Sequence, residues 1–175
     1  MPQTKTFETE RLYLIPTAED DAEFIFRLMN SPKYHEYIGD RNIRTLDDAK
    51  TFIQEKMTLQ LLRLGYSSYT LVRKSDGEKV GVCGLYDREG LEGVDIGFAL
   101  LPEFERTGYA LESALKLKQM AFAEFNISEI KAITTKENKA SQTLLEKLGL
   151  KAEGTVVLPG TTNEMLLYRL KNESA

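Results

Sequence analysis

The segment that most constrains the fold runs from Val94 to Phe125 and reads as a strand, a short polar loop and a helix. Side chains alternate between the two faces of a strand. In this strand the apolar side chains share one face, whereas Asp95, Gly97 and Ala99 share the other. One carboxylate therefore lies beside two positions with almost no side chain, which predicts room for a ligand against the sheet.

The helix after this loop is amphipathic and begins close to Gly108. Its apolar residues recur at helical spacing, which indicates one face packed on a core: Ala110, Ala114, Leu117, Ala121 and Phe125. The first N–H groups of a helix have no partner inside the helix, and they lie at the positive end of its dipole. The strand, its open face and this helix start together predict a site for a long phosphorylated cofactor.

Length and composition limit the class of protein. A chain of 175 residues with 42% hydrophobic residues predicts one domain over residues 1–175 with a real core. The chain has neither a long apolar run nor an apolar signal segment, which predicts a cytosolic protein without a membrane span. The net charge of −4 argues against non-specific nucleic-acid binding.

The chain has one cysteine and one histidine, which leaves few chemistries for either residue. Cys83 has no partner for an internal disulfide and lies in an alternating strand, so we expect a buried structural thiol. A zinc site needs more ligands of these types, so no metal is expected. We expect His35 to be a loop residue near the mouth of the substrate site rather than a catalytic group.

Hydrophobic periodicity along the chain predicts the order βααβββαβαββ. The predicted strands are 11–16, 68–74, 79–86, 94–101, 129–135 and two within 156–170; the predicted helices begin at the caps Thr17 and Thr45 and at about 109 and 139. The strand–helix–strand connection over 94–135 predicts one parallel pair inside a mostly antiparallel sheet.

A second candidate position lies in the last helix. Plotted at about 100° per residue, one apolar arc contains Ala140, Leu144, Leu145 and Leu148. Ser141 is the polar member of that arc, and a buried hydroxyl needs a partner. The hydroxyl either bonds to a carbonyl of its own helix or serves a site, and the residues leave both open. Asn138 is expected to cap this helix.

These segments resemble the GNAT superfamily of acetyl-CoA-dependent N-acetyltransferases, within it the RimJ/RimL-like branch of ribosomal-protein N-terminal acetyltransferases. The resemblance covers nearly the whole chain, through segments in the same order: 10–16 with 19–22, 37–39, 47–53, 95–102 and 138–150. It implies the mixed α/β GNAT fold, with helices on both faces of the sheet and the parallel pair splayed for the cofactor.

The resemblance implies acetyl-CoA as cosubstrate, lying between the strands at 94–101 and 129–135. The family's pyrophosphate loop reads Gln/Arg-x-x-Gly-x-Gly/Ala, and here it begins with Glu105. The implied cofactor-binding residues are Phe98, Ala99, Leu100, Arg106, Thr107, Gly108, Tyr109, Ala110 and Asn138. Backbone N–H groups bind the phosphates in such a loop, so we expect it to tolerate Glu105 if the carboxylate points outward.

The resemblance also implies catalytic roles for Asp95 and Ser141. Many family members carry Tyr where this chain has Leu145, so Ser141 becomes the expected hydrogen-bond donor to the departing thiolate. Asp95 would remove a proton from the attacking amine through water, and a backbone N–H between Phe98 and Leu100 would hold the oxyanion. The acceptor implied is a primary amine, either a protein N-terminus or a small amine, and a homodimer is compatible with the resemblance.

Two other functions remain open. The altered loop and the missing tyrosine would also suit a non-catalytic module that binds or senses acyl-CoA. A nucleotide-binding or phosphotransfer protein is less consistent with the sequence, because the Lys-Ser/Thr expected after such a loop is absent. Release of CoA with a panel of amines would distinguish an enzyme from a binding module.

Overall fold

The computed structural model describes residues 5–173, in which eight strands form one sheet. The strands are β1 Phe7–Glu8, β2 Leu12–Pro16, β3 Ser68–Arg73, β4 Lys79–Tyr86, β5 Val94–Leu100, β6 Glu129–Thr134, β7 Lys151–Val156 and β8 Met165–Lys171. Their spatial order is β1-β2-β3-β4-β5-β6-β8-β7. Only β5 and β6 pair in parallel among these strands, so the predicted mixed α/β fold with one parallel pair is confirmed.

The helices cover both faces of this sheet. They are α1 Ala22–Met29, α2 Pro32–Tyr37, α3 Leu46–Phe52, α4 Leu59–Leu64, α5 Tyr109–Ala123 and α6 Lys139–Lys147. A π-helical segment, Ile53–Thr58, joins α3 to α4. The predicted cap at Thr45 is confirmed, since its hydroxyl accepts from the Asp48 N–H at 3.0 Å. Gly65 ends α4 in the left-handed region.

Two local predictions in the first half of the chain are wrong. The segment around His35, predicted as a loop, contains α2, in which Pro32 occupies the first turn after Ser31. His35 therefore lies on a helix, with Nε2 3.2 Å from Oδ1 of Asn30. Thr17 does not cap the first helix, because its hydroxyl instead bonds to the Thr70 hydroxyl on β3 at 2.9 Å.

The last two strands also differ from the prediction. The sequence pattern places both within 156–170, whereas β7 already begins at Lys151, directly after α6 and its Gly149. The strand β7 forms the edge of the sheet and is exposed along almost its whole length. It lacks the buried, alternating face by which a strand is recognised from sequence.

The core has two parts, one on each face of the sheet. The larger part joins the sheet to α5 and α6 and contains Leu12, Leu14, Leu71, Leu85, Leu117, Ile130, Leu145 and Leu148. The smaller part joins Val82 and Leu101 to α1 and α3. Cys83 is fully buried in the larger part, as predicted, and burial raises the pKa of its thiol to about 12. No helix within residues 5–173 is both long and apolar enough to cross a membrane.

Candidate active site

The strands β5 and β6 pair at their beginnings and then separate. Val94 pairs with Ile130 and Asp95 with Lys131, and no further pair follows although both strands continue. Because the strands are parallel, the gap opens toward their carboxyl ends, where the chain enters α5 and α6. Two helix N-termini therefore flank the open end of the gap. Ligands commonly bind at such an edge, where parallel strands diverge.

The loop before α5 presents a continuous row of backbone N–H groups. Arg106 and Gly108 have φ angles of 61° and 86°, so the chain turns sharply before the helix. Within residues 5–173, the six N–H groups of residues 106–111 meet no acceptor, and the first bond of the helix runs from Glu112 N–H to the Gly108 carbonyl. This row, at the positive end of a 15-residue helix, is a site for a phosphate group.

Side-chain contacts fix the conformation of this loop. The Thr107 hydroxyl donates to the Phe104 carbonyl at 2.6 Å, and the Thr107 carbonyl accepts from Arg11 Nη2 at 3.0 Å. Tyr109 is buried, with the Arg11 guanidinium 4.4 Å from its ring centroid. Tyr109 and Thr107 can therefore offer a ligand their N–H groups, while the Arg106 side chain is exposed.

The cofactor-binding positions predicted on β5 lie along the edge that faces the gap. Phe98, Ala99 and Leu100 are half-buried, and their strand pairs with β4 on its other side as far as Leu100. Phe98 and Leu100 pack on the core beneath α5, whereas Ala99 faces the core beneath α1 and α3. Beyond Asp95, the backbone groups on the gap side have no strand partner, so they could pair with an extended ligand.

Asp95 lies at the closed end of the gap and is paired with Arg88. Its side chain is 2% exposed, and its carboxylate accepts from Arg88 Nε at 3.2 Å and Nη2 at 3.1 Å. Burial raises the pKa of Asp95 above its ordinary value, and Arg88 partly opposes this effect. The result is a carboxylate with increased proton affinity that is held in one orientation.

The open face predicted beside Gly97 is in fact partly filled by Tyr86. A Cβ placed on Gly97 would lie 3.1 Å from Cε2 of Tyr86, and one on Gly84 would lie 2.4 Å from its Cζ. The two glycines therefore accommodate an aromatic ring that covers β4 and β5. The sequence does not reveal the roles of Tyr86 and Arg88, because the alternation places Asp95 on the face away from the apolar side chains and gives no sign that its carboxylate is buried and needs a counter-charge.

At the start of α6 the structure confirms one prediction and corrects another. The Asn138 side-chain oxygen accepts from the Ser141 N–H at 3.2 Å, so Asn138 caps the helix as predicted. Ser141 is half-buried rather than buried, and Ala140, assigned to the same apolar arc, is exposed. Within the described part of the chain the Ser141 hydroxyl bonds to no carbonyl of its helix. That hydroxyl is therefore free to bond to a ligand.

The candidate residues thus collect around one gap. Asp95 stands at its closed end, while Gly108 and Ser141 stand in the first turns of the two helices at its open end. Among residues 5–173, no group of three or more His, Cys, Asp or Glu side chains is arranged to hold a metal ion. The gap presents the Asp95 carboxylate, the Ser141 hydroxyl and backbone N–H groups to a ligand.

Comparison with known proteins relates this arrangement to one family. The family profile described as an acetyltransferase (GNAT) domain matches residues 11–151. The uncharacterized N-acetyltransferase YoaA of Bacillus subtilis (strain 168) is 29% identical over 150 residues, which is 85% of this chain and 84% of that protein.

Solved structures share the fold at lower identity. A putative ribosomal-protein-serine acetyltransferase from Vibrio cholerae superposes with a TM-score of 0.78 at 18% identity, covering 98% of this chain and 100% of that one. The microcin C7 self-immunity acetyltransferase MccE, solved in complex with acetyl-CoA and AMP, superposes with a TM-score of 0.77 at 17% identity, covering 94% of each chain.

Proposed function

This chain belongs to the GNAT family and is an acetyltransferase, and we propose that it moves an acetyl group from acetyl-CoA directly to a primary amine. The observation that carries this proposal is the row of free N–H groups at residues 106–111, beside the gap between β5 and β6. Such a row fits a pyrophosphate, and the unpaired edge of β5 fits the amides of the extended arm that follows it in coenzyme A.

The binding residues follow from this fit. The backbone of Arg106, Thr107, Gly108, Tyr109 and Ala110 would hold the pyrophosphate. The backbone of Phe98, Ala99 and Leu100 would hold the arm, and one of their N–H groups would polarise the acetyl carbonyl. Asn138 would contribute by holding the first turn of α6 against the gap, through its bond to the Ser141 N–H.

The reaction forms a carbon–nitrogen bond, breaks the carbon–sulfur bond of the thioester and releases a proton from the amine. We assign Asp95 to accept that proton through water, since burial raises its pKa and Arg88 fixes its orientation. We assign the Ser141 hydroxyl to donate to the departing sulfur. A thiolate with a pKa near that of Cys, about 8.5, is a tolerable leaving group, so a neutral hydroxyl is sufficient.

Within the family we assign the chain to the RimJ/RimL-like branch, on the segments quoted above and the fold shared with the Vibrio cholerae protein. The acceptor is then a protein N-terminus or a small primary amine. The family match and the related N-acetyltransferase both support an enzyme, so we do not favour the alternative of a non-catalytic module that binds acyl-CoA. A single domain, a cytosolic location and a homodimer remain predictions from the sequence.

Binding of acetyl-CoA is the first test of this proposal. A ligand that binds only the native state raises its melting temperature, by an amount that grows with ligand concentration. We expect acetyl-CoA to produce such a shift. An unchanged melting curve at saturating acetyl-CoA would contradict the proposed cosubstrate.

A further inference from the structure

The Glu105 carboxylate lies directly before the row of free N–H groups at residues 106–111. Lys33, from α2, forms an ion pair with this carboxylate. Lys33 Nζ is 2.5 Å from Oε2 of Glu105, although the two residues are 72 positions apart. The side chain of Glu105 is 24% exposed and that of Lys33 is 56% exposed. Glu105 is the residue at which this loop differs from the family pattern, and its carboxylate therefore forms an ion pair with Lys33.

The ion pair lines a shallow depression between α2 and the loop. Pro32 and Lys33 form one side, and Pro102, Glu105 and Arg106 form the other. Arg106 also contributes the first N–H group of the free row. The depression and the phosphate site therefore share Arg106, and a charge in the depression acts on an anion bound at that site.

The helix α2 holds Lys33 in this position. Pro32 precedes Lys33 in the first turn, and Tyr34, which follows it, is buried in the smaller part of the core. The lysine backbone is thus fixed between a rigid residue and a buried one. The contact therefore depends on α2, which replaces the loop predicted around His35.

We propose that Lys33 is a positioning residue for cofactor binding, which neutralises Glu105 and so preserves the affinity of the loop for the pyrophosphate. This inference rests on the proposed function. An unpaired carboxylate beside a bound anion weakens binding by Coulomb repulsion, and a paired cation cancels most of that effect. Exposed ion pairs contribute little to folding, so the consequence belongs to ligand affinity rather than stability.

A double-mutant cycle isolates this effect. The dissociation constant of acetyl-CoA is measured by calorimetry at one low ionic strength for wild type, Lys33→Ala, Glu105→Gln and the double variant. We expect Lys33→Ala to weaken binding by roughly 3–30-fold, the scale of one uncompensated charge near a site. Glu105→Gln leaves Lys33 as an unpaired cation and should bind as tightly as wild type or more so, whereas the double variant, which carries neither charge, should bind like wild type.

Arg27→Ala is the matched control. Arg27 makes a similar exposed ion pair, 3.3 Å long, with Glu103 on the same segment, but Glu103 is farther from the N–H row along the chain. We expect this control to bind acetyl-CoA within about twofold of wild type. Melting temperatures without ligand should be alike for all variants, which separates loss of affinity from loss of folding.

Each other outcome is decisive. If Lys33→Ala binds like wild type, or if Arg27→Ala weakens binding equally, the neutralising role is wrong. If the double variant binds as weakly as Lys33→Ala, the lysine acts on the ligand itself and not through Glu105, which also overturns the proposal. If wild type fails to bind acetyl-CoA, it is the proposed function that fails.

Discussion

Arg88 holds the Asp95 carboxylate with two of its nitrogens, at 3.1 Å from Nη2 to Oδ2 and 3.2 Å from Nε to Oδ1. The pair lies where β5 and β6 cease to be paired. Burial and Arg88 have opposite effects on the pKa of Asp95, and burial is the larger. The proposed base therefore has a raised proton affinity and a fixed position, and both properties can be tested by pH dependence.

Asp95→Asn should lower turnover most at low pH and recover part of it as the pH rises. An α-amine has a pKa near 7.7–8.0 and a lysine amine near 10.4, so a base matters most where the acceptor is protonated. The measurement is a pH profile of kcat/KM with one competent amine. Asp40→Asn, at an exposed acid paired with Arg44, is the control and should keep the wild-type profile. Wild-type turnover by Asp95→Asn over the whole range would contradict the assignment.

Replacing Ser141 by Ala should lower kcat by roughly 10–100-fold with little change in acetyl-CoA affinity. A donor to a charge that develops in the transition state contributes about 2.7–4 kcal/mol when that charge is full, and a thiolate is a weaker acceptor than an alkoxide. Thr143→Ala, on an exposed position of the same helix, should leave kcat unchanged. Equal kcat values for the Ser141 and Thr143 variants would show that the hydroxyl has no catalytic role.

Gly108→Ala should abolish most of the melting shift caused by acetyl-CoA. Its φ of 86° lies in the left-handed region, where a Cβ costs about 1–2 kcal/mol, and the added Cβ would lie 3.2 Å from Arg11 Nη2. Gly77→Ala is matched for backbone strain, since Gly77 has a φ of 76° and open space around it. Both variants should lose similar stability. If acetyl-CoA raised the melting temperature of both variants equally, Gly108 would have no role in cofactor binding and would be an ordinary turn residue.

Gly84→Ala should destabilise the protein by roughly 1–3 kcal/mol, the usual cost of overpacking. Its new Cβ would lie 2.4 Å from Cζ of Tyr86, so the ring must move. The same change in a Tyr86→Leu background should cost less, which denaturant unfolding of the four proteins would measure. Equal costs in both backgrounds would mean that Gly84 does not make room for this ring.

The sequence predicts the frame of the site because that frame is encoded locally. The alternation around Asp95, the turn at Gly108 and the cap at Asn138 each depend on neighbours within a few residues, and the structure contains all three elements. Such local patterns predict strands, turns and helix starts. They do not predict which side chains are in contact across the sheet.

The features that the sequence did not reveal depend on contacts between distant segments. The ring of Tyr86 over Gly97, and Lys33 against Glu105, join residues from different elements. The apolar arc predicts a buried Ser141, whereas α6 begins at the open end of the gap, where Ser141 is half-buried and Ala140 is exposed. The start of α2 at Ser31-Pro32 did carry a recognisable local signal.

The most direct test of the central claim is release of CoA from acetyl-CoA in the presence of a panel of primary amines. The panel contains peptides with free N-termini, polyamines, amino sugars and lysine-like amines, and the acetylated product is identified by mass spectrometry. We predict that at least one amine yields CoA and its N-acetyl product in equal amounts, at a rate that falls in the Ser141→Ala variant. Acetyl-CoA binding without amine-dependent CoA release from any member of the panel would contradict the claim.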